Sequence, residues 1–154
     1  MNAVNLGKVT LFRQLSQEQL ERVFAACQER SFSSGMTVIE EASTDDPCLY
    51  VIMEGSVKVH KKGFYGGKET ITTLHTGDHF GEVSLFDEAP RSAAVTAIKP
   101  CRLLSLPKAD LRAIMGADPL LAAQIYETLI AELCSRLRDT NDHLIYLKAE
   151  GGDQ

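Results

Sequence analysis

Glycines divide the middle of the chain into short segments, and this division constrains the fold more than any other feature of the sequence. Between Ser31 and Leu106, apolar and β-branched runs such as MTVIEE, CLYVIMEGSVKVHKK and CRLLSLP are separated by turns that contain glycine. The spacing predicts about seven or eight strands in roughly 75 residues. This density of short strands is typical of an antiparallel sandwich, jelly roll or barrel, and it fits an alternating parallel fold poorly.

A helical pattern precedes the strand-rich region. The segment LSQEQLERVFAACQER carries an apolar stripe after Ser16, a good N-cap residue, and predicts a helix over about residues 16–30. The strand-rich region is then predicted over about residues 31–107. Because 154 residues is the usual size of one domain, we expect a single domain over residues 1–154.

The helical period returns near the end of the chain. A short helix is predicted over about residues 108–116 and a long one over about 119–147, since Gly116 and Pro119 separate them. The apolar stripe of the long helix either packs on the same chain or also pairs with a second copy, and its extent leads us to expect a homodimer. The stripe consists of Leu121, Ile125, Leu129, Leu133, Leu137, Leu144 and Leu147.

Composition excludes several classes of function. The net charge of -5 argues against a general affinity for nucleic acid or anionic lipid, since both require a positive surface. No segment reaches the roughly 18 apolar residues of a membrane span, and the N-terminus lacks a signal-peptide pattern, so we expect a cytoplasmic protein without membrane association. The four cysteines form no C-x-x-C pair, which predicts reduced structural thiols and no metal site.

The segment FGEVSLFDEAPRSAAV, from Phe80 to Val95, carries the most informative charges. Glu82 and Arg91 stand among glycine, alanine and serine, which leave room for a ligand close to the backbone. A guanidinium can bind two phosphate oxygens at once, and a carboxylate can accept hydrogen bonds from sugar hydroxyls. A surface salt bridge between the two residues is the alternative. The chemistry of the residues alone leaves both interpretations open.

The same segment resembles the phosphate-binding cassette of cyclic nucleotide-binding domains, in which F-G-E and a short apolar helix precede P-R-[SA]-A. The segments GSVKV at Gly55 and TGDHFGE at Gly77 resemble structural glycines of that family. The resemblance extends from about Leu11 to Leu147. It implies a mainly β fold with flanking α: an eight-stranded antiparallel β-roll of the jelly-roll type, with N-terminal helices and a long C-terminal helix.

The resemblance also implies a ligand and the residues that bind it. The ligand is cyclic AMP or cyclic GMP, and the role is regulatory binding, with neither catalysis nor a cofactor. Glu82 would accept the ribose 2′-hydroxyl, and Arg91 would bind the cyclic phosphate. The cassette positions implied to contact the ligand are Gly81, Glu82, Val83, Arg91, Ser92 and Ala93.

Base recognition is implied to come from the long helix. Thr140 matches the residue that contacts adenine in the bacterial regulators of the family, and Asn141 matches a position that reaches the neighbour's ligand in dimers. Serine at position 92, where threonine is the other choice, favours cyclic AMP over cyclic GMP. The sequence closes with KAEGGDQ where the transcription factors continue into a helix-turn-helix. We therefore expect no nucleic-acid binding, and output through a moving long helix to an unidentified protein partner.

Two other classes of function compete with this interpretation. A cupin-type metal enzyme would use His60, His75, His79 and Glu82, whose types suit a divalent metal. The spacing of HTGDHFGE differs from the H-x-H of cupins, so solvated strand histidines are the expectation. The second alternative is a ligand-free adaptor, in which the β-roll is only a scaffold and the amphipathic helix binds a partner.

Overall fold

The structure is a computed structural model that describes residues 3–43 and 47–152. Eight strands form the centre of this part of the chain, with helices before and after them. In chain order the elements are α1 (Ala3–Leu6), a 3-10 turn (Thr10–Phe12), α2 (Gln17–Ala26), β1 (Gln28–Phe32), β2 (Thr37–Ile39), β3 (Cys48–Glu54), β4 (Ser56–Lys62), β5 (Lys68–His75), β6 (His79–Phe80), α3 (Val83–Phe86), β7 (Ala94–Ala97), β8 (Cys101–Pro107), α4 (Lys108–Ala117) and α5 (Pro119–Gly151).

The strands form two four-stranded sheets that face each other. One sheet has the order β1-β8-β3-β6 and the other β2-β7-β4-β5, and the pairs are antiparallel. Strands that are distant in sequence therefore lie side by side, as in a jelly roll. The predicted fold class, an antiparallel β-roll with flanking helices and a long C-terminal helix, is confirmed.

Strand β3 belongs to two hydrophobic cores at once. Its residues Tyr50 and Ile52 face the interior of the roll, whereas Leu49 and Val51 face the layer of helices. Because successive side chains of a strand point to opposite faces, a strand covered on both sides reads as the continuous apolar run LYVI. This strand thus joins the β-roll to the helical layer.

Two helix boundaries differ from those predicted. Ser16 caps α2 in a capping box, in which its Oγ accepts from the Gln19 amide at 3.2 Å. This helix ends at Ala26, not near residue 30, because residues 28–32 pair with β8 as strand β1. The long helix extends beyond the predicted residue 147 and ends at Gly151.

Helix α5 has a buried half and an exposed half. Leu121, Ile125 and Leu129 pack in the core under the β-roll. Beyond Leu129 the helix is exposed except for the half-buried Glu132. The stripe predicted from the sequence is therefore divided, since only its first three members are covered by the same chain. Across the described ranges, no helix combines the length and apolar character that a membrane span needs.

Candidate functional site

A cavity of about 560 Å³ lies between the second sheet, the segment after β6 and helix α5. Its size falls in the range of about 300–1,000 Å³ that is usual for small-molecule sites. Ile39, Val59, Leu74 and Val95 contribute apolar walls, and most of the polar groups come from the cassette and α5. Asn141 lies outside the lining. All seven predicted contact residues lie along the cavity: Gly81, Glu82, Val83, Arg91, Ser92, Ala93 and Thr140.

Gly81 brings the cassette backbone close to strand β3. Its φ of 88° lies in the left-handed region, and a Cβ at this position would stand 2.5 Å from the Cys48 carbonyl oxygen. Only glycine therefore fits here without strain. The preceding Phe80 stacks on Tyr50 with ring centroids 5.1 Å apart, which fixes the entry into the cassette.

Glu82 is only 5% exposed although it carries a charge. Its Oε1 accepts a hydrogen bond from Arg136 Nη1 at 2.9 Å, and its Oε2 lies 3.4 Å from His79 Nδ1. The carboxylate is thus paired with residues of α5 and β6, and Arg91 is not its salt-bridge partner. The alternative of a surface salt bridge between Glu82 and Arg91 is wrong, because the carboxylate is buried beneath α5.

The surroundings of Glu82 keep its side chain ionised. Burial on its own would raise the pKa of this carboxyl, but the close contact and charge of His79, together with the charge of Arg136, outweigh burial. The pKa falls from the ordinary 4.5 to about 2. An ionised carboxylate only accepts hydrogen bonds, and its two oxygens offer about four lone-pair directions. At neutral pH the group is therefore an acceptor that faces the cavity.

Arg91 lines the same cavity and is half-buried. Its Nη1 donates to the Gly81 carbonyl oxygen at 3.3 Å, while its backbone amide donates to Ser43 O at 3.1 Å. Its own carbonyl oxygen accepts from the Ala42 amide at 2.8 Å. Burial lowers the pKa of the guanidinium, which nevertheless remains protonated at any physiological pH. Positive charge is thus held beside the small residues Ser92 and Ala93.

His79 occupies a buried position that sequence reasoning did not expect. The prediction of a solvated strand histidine is wrong for His79, which is 6% exposed, and for His60, whose Nε2 lies 2.8 Å from Thr96 Oγ1. The prediction holds for His75, which is exposed. His79 Nε2 lies 3.0 Å from Glu132 Oε2, so helix α5 covers this imidazole.

The arrangement of these side chains does not resemble a metal centre. Within residues 3–43 and 47–152, no group of three or more His, Cys, Asp or Glu side chains is placed to hold a metal ion. The four cysteines form no disulfide among the described residues, and Cys134 is the exposed one of the four. The cupin-type alternative therefore has no geometric support in this part of the chain.

Sequence reasoning did not assign to this site the ion-pair partners His79, Glu132 and Arg136, nor the cavity-lining Asp139. A signal for Arg136 was present, because residues four apart lie on one face of a helix and Thr140 had already been assigned to the cavity. His79 stands three residues before Glu82, but its burial depends on α5, which is distant in sequence. The pairing of His79 with Glu132 therefore has no counterpart in any local pattern of the sequence.

Comparison with known proteins identifies the family. The profile of the cyclic nucleotide-binding domain matches residues 29–118, more than half of the chain. The chain belongs to this family. Its cassette, cavity and β-roll all lie within or beside the matched residues, and α5 follows them.

Relatives of this cyclic nucleotide-binding domain include regulators from distant organisms. A CRP-like cAMP-activated global transcriptional regulator of Mycobacterium tuberculosis is 31% identical over 139 residues, which cover 90% of this chain and 60% of the relative. The catabolite activator protein of Thermus thermophilus has a similar structure, with a TM-score of 0.80, 29% identity and coverage of 90% of this chain and 63% of that one. This domain thus spans less than two thirds of either relative's length.

A third relative was solved with a ligand. The regulatory domain of Toxoplasma gondii PKA, in a co-crystal structure with cAMP, has a TM-score of 0.67 and is 31% identical to this domain. The likeness covers 73% of this chain and 42% of that one. The similarity therefore includes both bacterial regulators and a kinase regulatory domain.

Proposed function

We propose that this chain is a single regulatory domain over residues 1–154 that binds cyclic AMP in preference to cyclic GMP. The observation that carries the proposal is that Glu82 and Arg91 line one cavity without pairing with each other. A buried acceptor and a half-buried cation, both held by other groups, suit a ligand that has hydroxyls and a phosphate. The relatives named for cAMP support the same ligand class.

Glu82 is proposed to accept the ribose 2′-hydroxyl. Arg136 and His79 occupy two directions around the carboxylate, and about two of its four lone-pair directions remain for a ligand. A sugar hydroxyl can therefore bind without displacing Arg136. The Gly81 backbone and Val83 line the same part of the cavity and would contact the sugar.

Arg91 is proposed to bind the cyclic phosphate, with Ser92 and Ala93 beside it. A cyclic phosphate diester carries one negative charge, which a guanidinium can bind through two parallel hydrogen bonds. The Ser92 hydroxyl and the Ala93 amide would add two neutral donors. These are groups that bind and orient an anion, so we propose binding without catalysis.

Thr140 is proposed to contact the base from α5. It is exposed on the helix and lines the cavity opposite the cassette, where its hydroxyl can meet the edge of a purine. A hydroxyl can donate to a ring nitrogen and accept from an exocyclic amino group. Adenine offers both kinds of group, which together with Ser92 favours cyclic AMP.

The exposed half of α5 is proposed to pair with a second copy of this chain. Its apolar positions alternate in steps of three and four residues, which is the pattern of a coiled-coil seam. So many large apolar side chains on one face need a cover, and a parallel pair about a twofold axis provides it. The seam consists of Ile130, Leu133, Leu137, Thr140, Leu144 and Leu147, with Thr140 shared with the cavity.

Ligand binding is proposed to change the position of α5 and so pass the signal to another protein. Arg136 connects α5 to Glu82, the proposed ribose acceptor. A ligand shifts such an equilibrium only by the difference between its affinities for the two positions. Contacts to Glu82 and Thr140 supply that difference, because they involve the cassette and the helix together.

Titration calorimetry with cyclic AMP and cyclic GMP tests the proposal. We expect saturable binding of cyclic AMP that Arg91→Ala weakens about a hundredfold or more, because two charge-assisted hydrogen bonds of roughly 1.5–3 kcal/mol each are lost. Arg138→Ala, which removes an exposed arginine of α5, is the matched control and should bind as the wild type does. Absence of binding to either nucleotide would favour the ligand-free adaptor.

A further inference from the structure

His79 lies between two carboxylates that belong to different elements of the fold. Its Nδ1 lies 3.4 Å from Glu82 Oε2 on the cassette. Its Nε2 shares a hydrogen bond of 3.2 Å with Glu132 Oε1 on α5 and lies 3.0 Å from Oε2 of the same carboxylate. Imidazole carries two N–H donors only when it is protonated, so only the cation can donate to both carboxylates at once. The three side chains then form one connection from the cassette to the long helix.

Protonation of His79 compensates charge on the two carboxylates that it joins. Glu82 and Glu132 bring two negative charges, and the charged groups around them are His79 of β6, Arg136 of α5 and Arg91 of the cassette, with Asp139 of α5 on the same cavity. Once Arg91 binds the proposed phosphate, a neutral imidazole would leave one carboxylate charge uncompensated beside the ligand. Such a charge repels the ligand and loosens the orientation of Glu82.

The geometry also leaves room for this connection to tighten. His79 Nδ1 is buried and makes no well-formed hydrogen bond with any residue in the described ranges, since its 3.4 Å contact with Glu82 Oε2 is longer than a charge-assisted bond of about 2.7–2.9 Å. A shift of a few tenths of an ångström would complete the bond.

We infer that His79 is a positioning residue for Glu82, and that its protonated imidazole joins the cassette to α5 so that nucleotide affinity falls as this proton is lost. The inference rests on the proposed function, because Glu82 must first be a ligand-binding group. His79 touches Glu82 and Glu132 and acts on the nucleotide through the former.

The electrostatic surroundings support this role. Burial on its own would lower the pKa of the His79 imidazole, but the contacts with Glu82 and Glu132 outweigh burial and raise it above the ordinary 6.5. A raised pKa means that the favourable interaction is fully present below about pH 6.5 and is lost as the pH rises through the folded-state value. The proton is therefore released at a higher pH than from an imidazole with the ordinary pKa.

Calorimetric titration with cyclic AMP from pH 6 to pH 9 tests the inference. We expect wild-type affinity to fall roughly tenfold across this range, which corresponds to the loss of one charge-assisted contact. His79→Gln should bind at every pH about as weakly as the wild type does at pH 9. His75→Gln removes an exposed histidine and is the matched control, which should keep the wild-type profile.

A second variant distinguishes a titrating role from a merely structural one. Glu132→Gln leaves the imidazole in place but removes one of its two anionic partners, so the midpoint of the affinity profile should move to lower pH. Equal pH profiles for wild type and His79→Gln, or an unmoved midpoint in Glu132→Gln, would overturn the inference while wild-type binding sustains the proposed function. If the wild type binds neither nucleotide at any pH, the proposed function fails and the inference fails with it.

Discussion

Arg136 of helix α5 donates a hydrogen bond from Nη1 to Oε1 of Glu82 at 2.9 Å, across 54 positions of the sequence. The carboxylate is buried, whereas the arginine side chain is 54% exposed. One contact therefore joins the buried wall of the cavity to a helix whose further half is largely exposed.

Removal of the Arg136 side chain should destabilise the fold. Arg136→Ala leaves a buried carboxylate with one partner fewer, and we expect the free energy of unfolding to fall by about 1 kcal/mol, a low value for a charged hydrogen bond because the arginine is half in solvent. Urea denaturation measures the change. Arg138→Ala, on the exposed side of the same helix, is the control, and equal stabilities for the two variants would contradict the prediction.

Lysine should replace Arg91 poorly in ligand binding. Arg91→Lys keeps the positive charge but loses the planar fork that matches two phosphate oxygens, so we expect affinity for cyclic AMP to drop roughly tenfold. Calorimetry measures the affinity, and thermal unfolding checks that the fold persists. Retention of wild-type affinity would mean that Arg91 acts only as a point charge.

Alanine at position 81 should disturb both the fold and the site. Gly81→Ala forces a side chain into a backbone with φ of 88° and directs its Cβ at the Cys48 carbonyl oxygen. We expect a loss of about 2 kcal/mol or more in stability, together with loss of nucleotide binding. Gly67→Ala is the control, since nothing lies within 4 Å of a Cβ there. Similar stabilities for both variants would contradict the close approach of the Gly81 backbone to the Cys48 carbonyl oxygen.

Stability should depend on the ionisation of Glu82 in acid. Because the folded-state pKa of about 2 lies below the ordinary 4.5, the contribution of Glu82 is present above pH 4.5 and is lost as the pH falls from 4.5 toward 2. We expect Glu82→Gln to be less stable than wild type at pH 6 and closer to it near pH 2.5. Urea midpoints at both pH values measure this, and a difference independent of pH would refute it.

The exposed face of α5 should determine the oligomeric state. Leu137→Asp places a charge in the proposed seam, and we expect the mass of the protein in solution to fall to half. Ser135→Asp adds the same charge two positions earlier, on the outer side of the helix, and should leave the mass unchanged. Light scattering after size exclusion measures the mass, with reductant present because Cys134 is exposed. A wild-type monomer would contradict the proposed dimer.

The β-roll could be predicted because its signals are local. Glycine turns, alternating strands and a capped helix each lie within a few neighbouring residues, and the cassette is one continuous segment. The end of α2 could not be predicted in the same way, because QERSF becomes strand β1 only through pairing with β8, about 70 positions away. The tertiary contact overrides the helical pattern at this point.

From the sequence, only the cassette residues and Thr140 could be assigned to the site. Glu82 and Arg91 were visible as an isolated pair of charges, but the actual partners of Glu82 come from β6 and α5. Burial of His79 follows from the way α5 crosses the roll, and periodicity cannot give that crossing. For the same reason, the apolar stripe of α5 did not show at which residue the helix stops packing on the rest of the chain.

Because α5 is anchored at one end and exposed at the other, the proposed movement of this helix would be larger at its exposed end. From Leu129, the last residue of its buried half, Arg136 lies roughly 10 Å along the axis and Gly151 roughly 33 Å, at about 1.5 Å per residue. If the helix tilts about Leu129 as a straight rod, a displacement of about 1 Å at Arg136 becomes roughly 3 Å at Gly151. Under such a tilt, a contact change too small to repack the cavity would move the end of the helix far enough to separate or join protein surfaces.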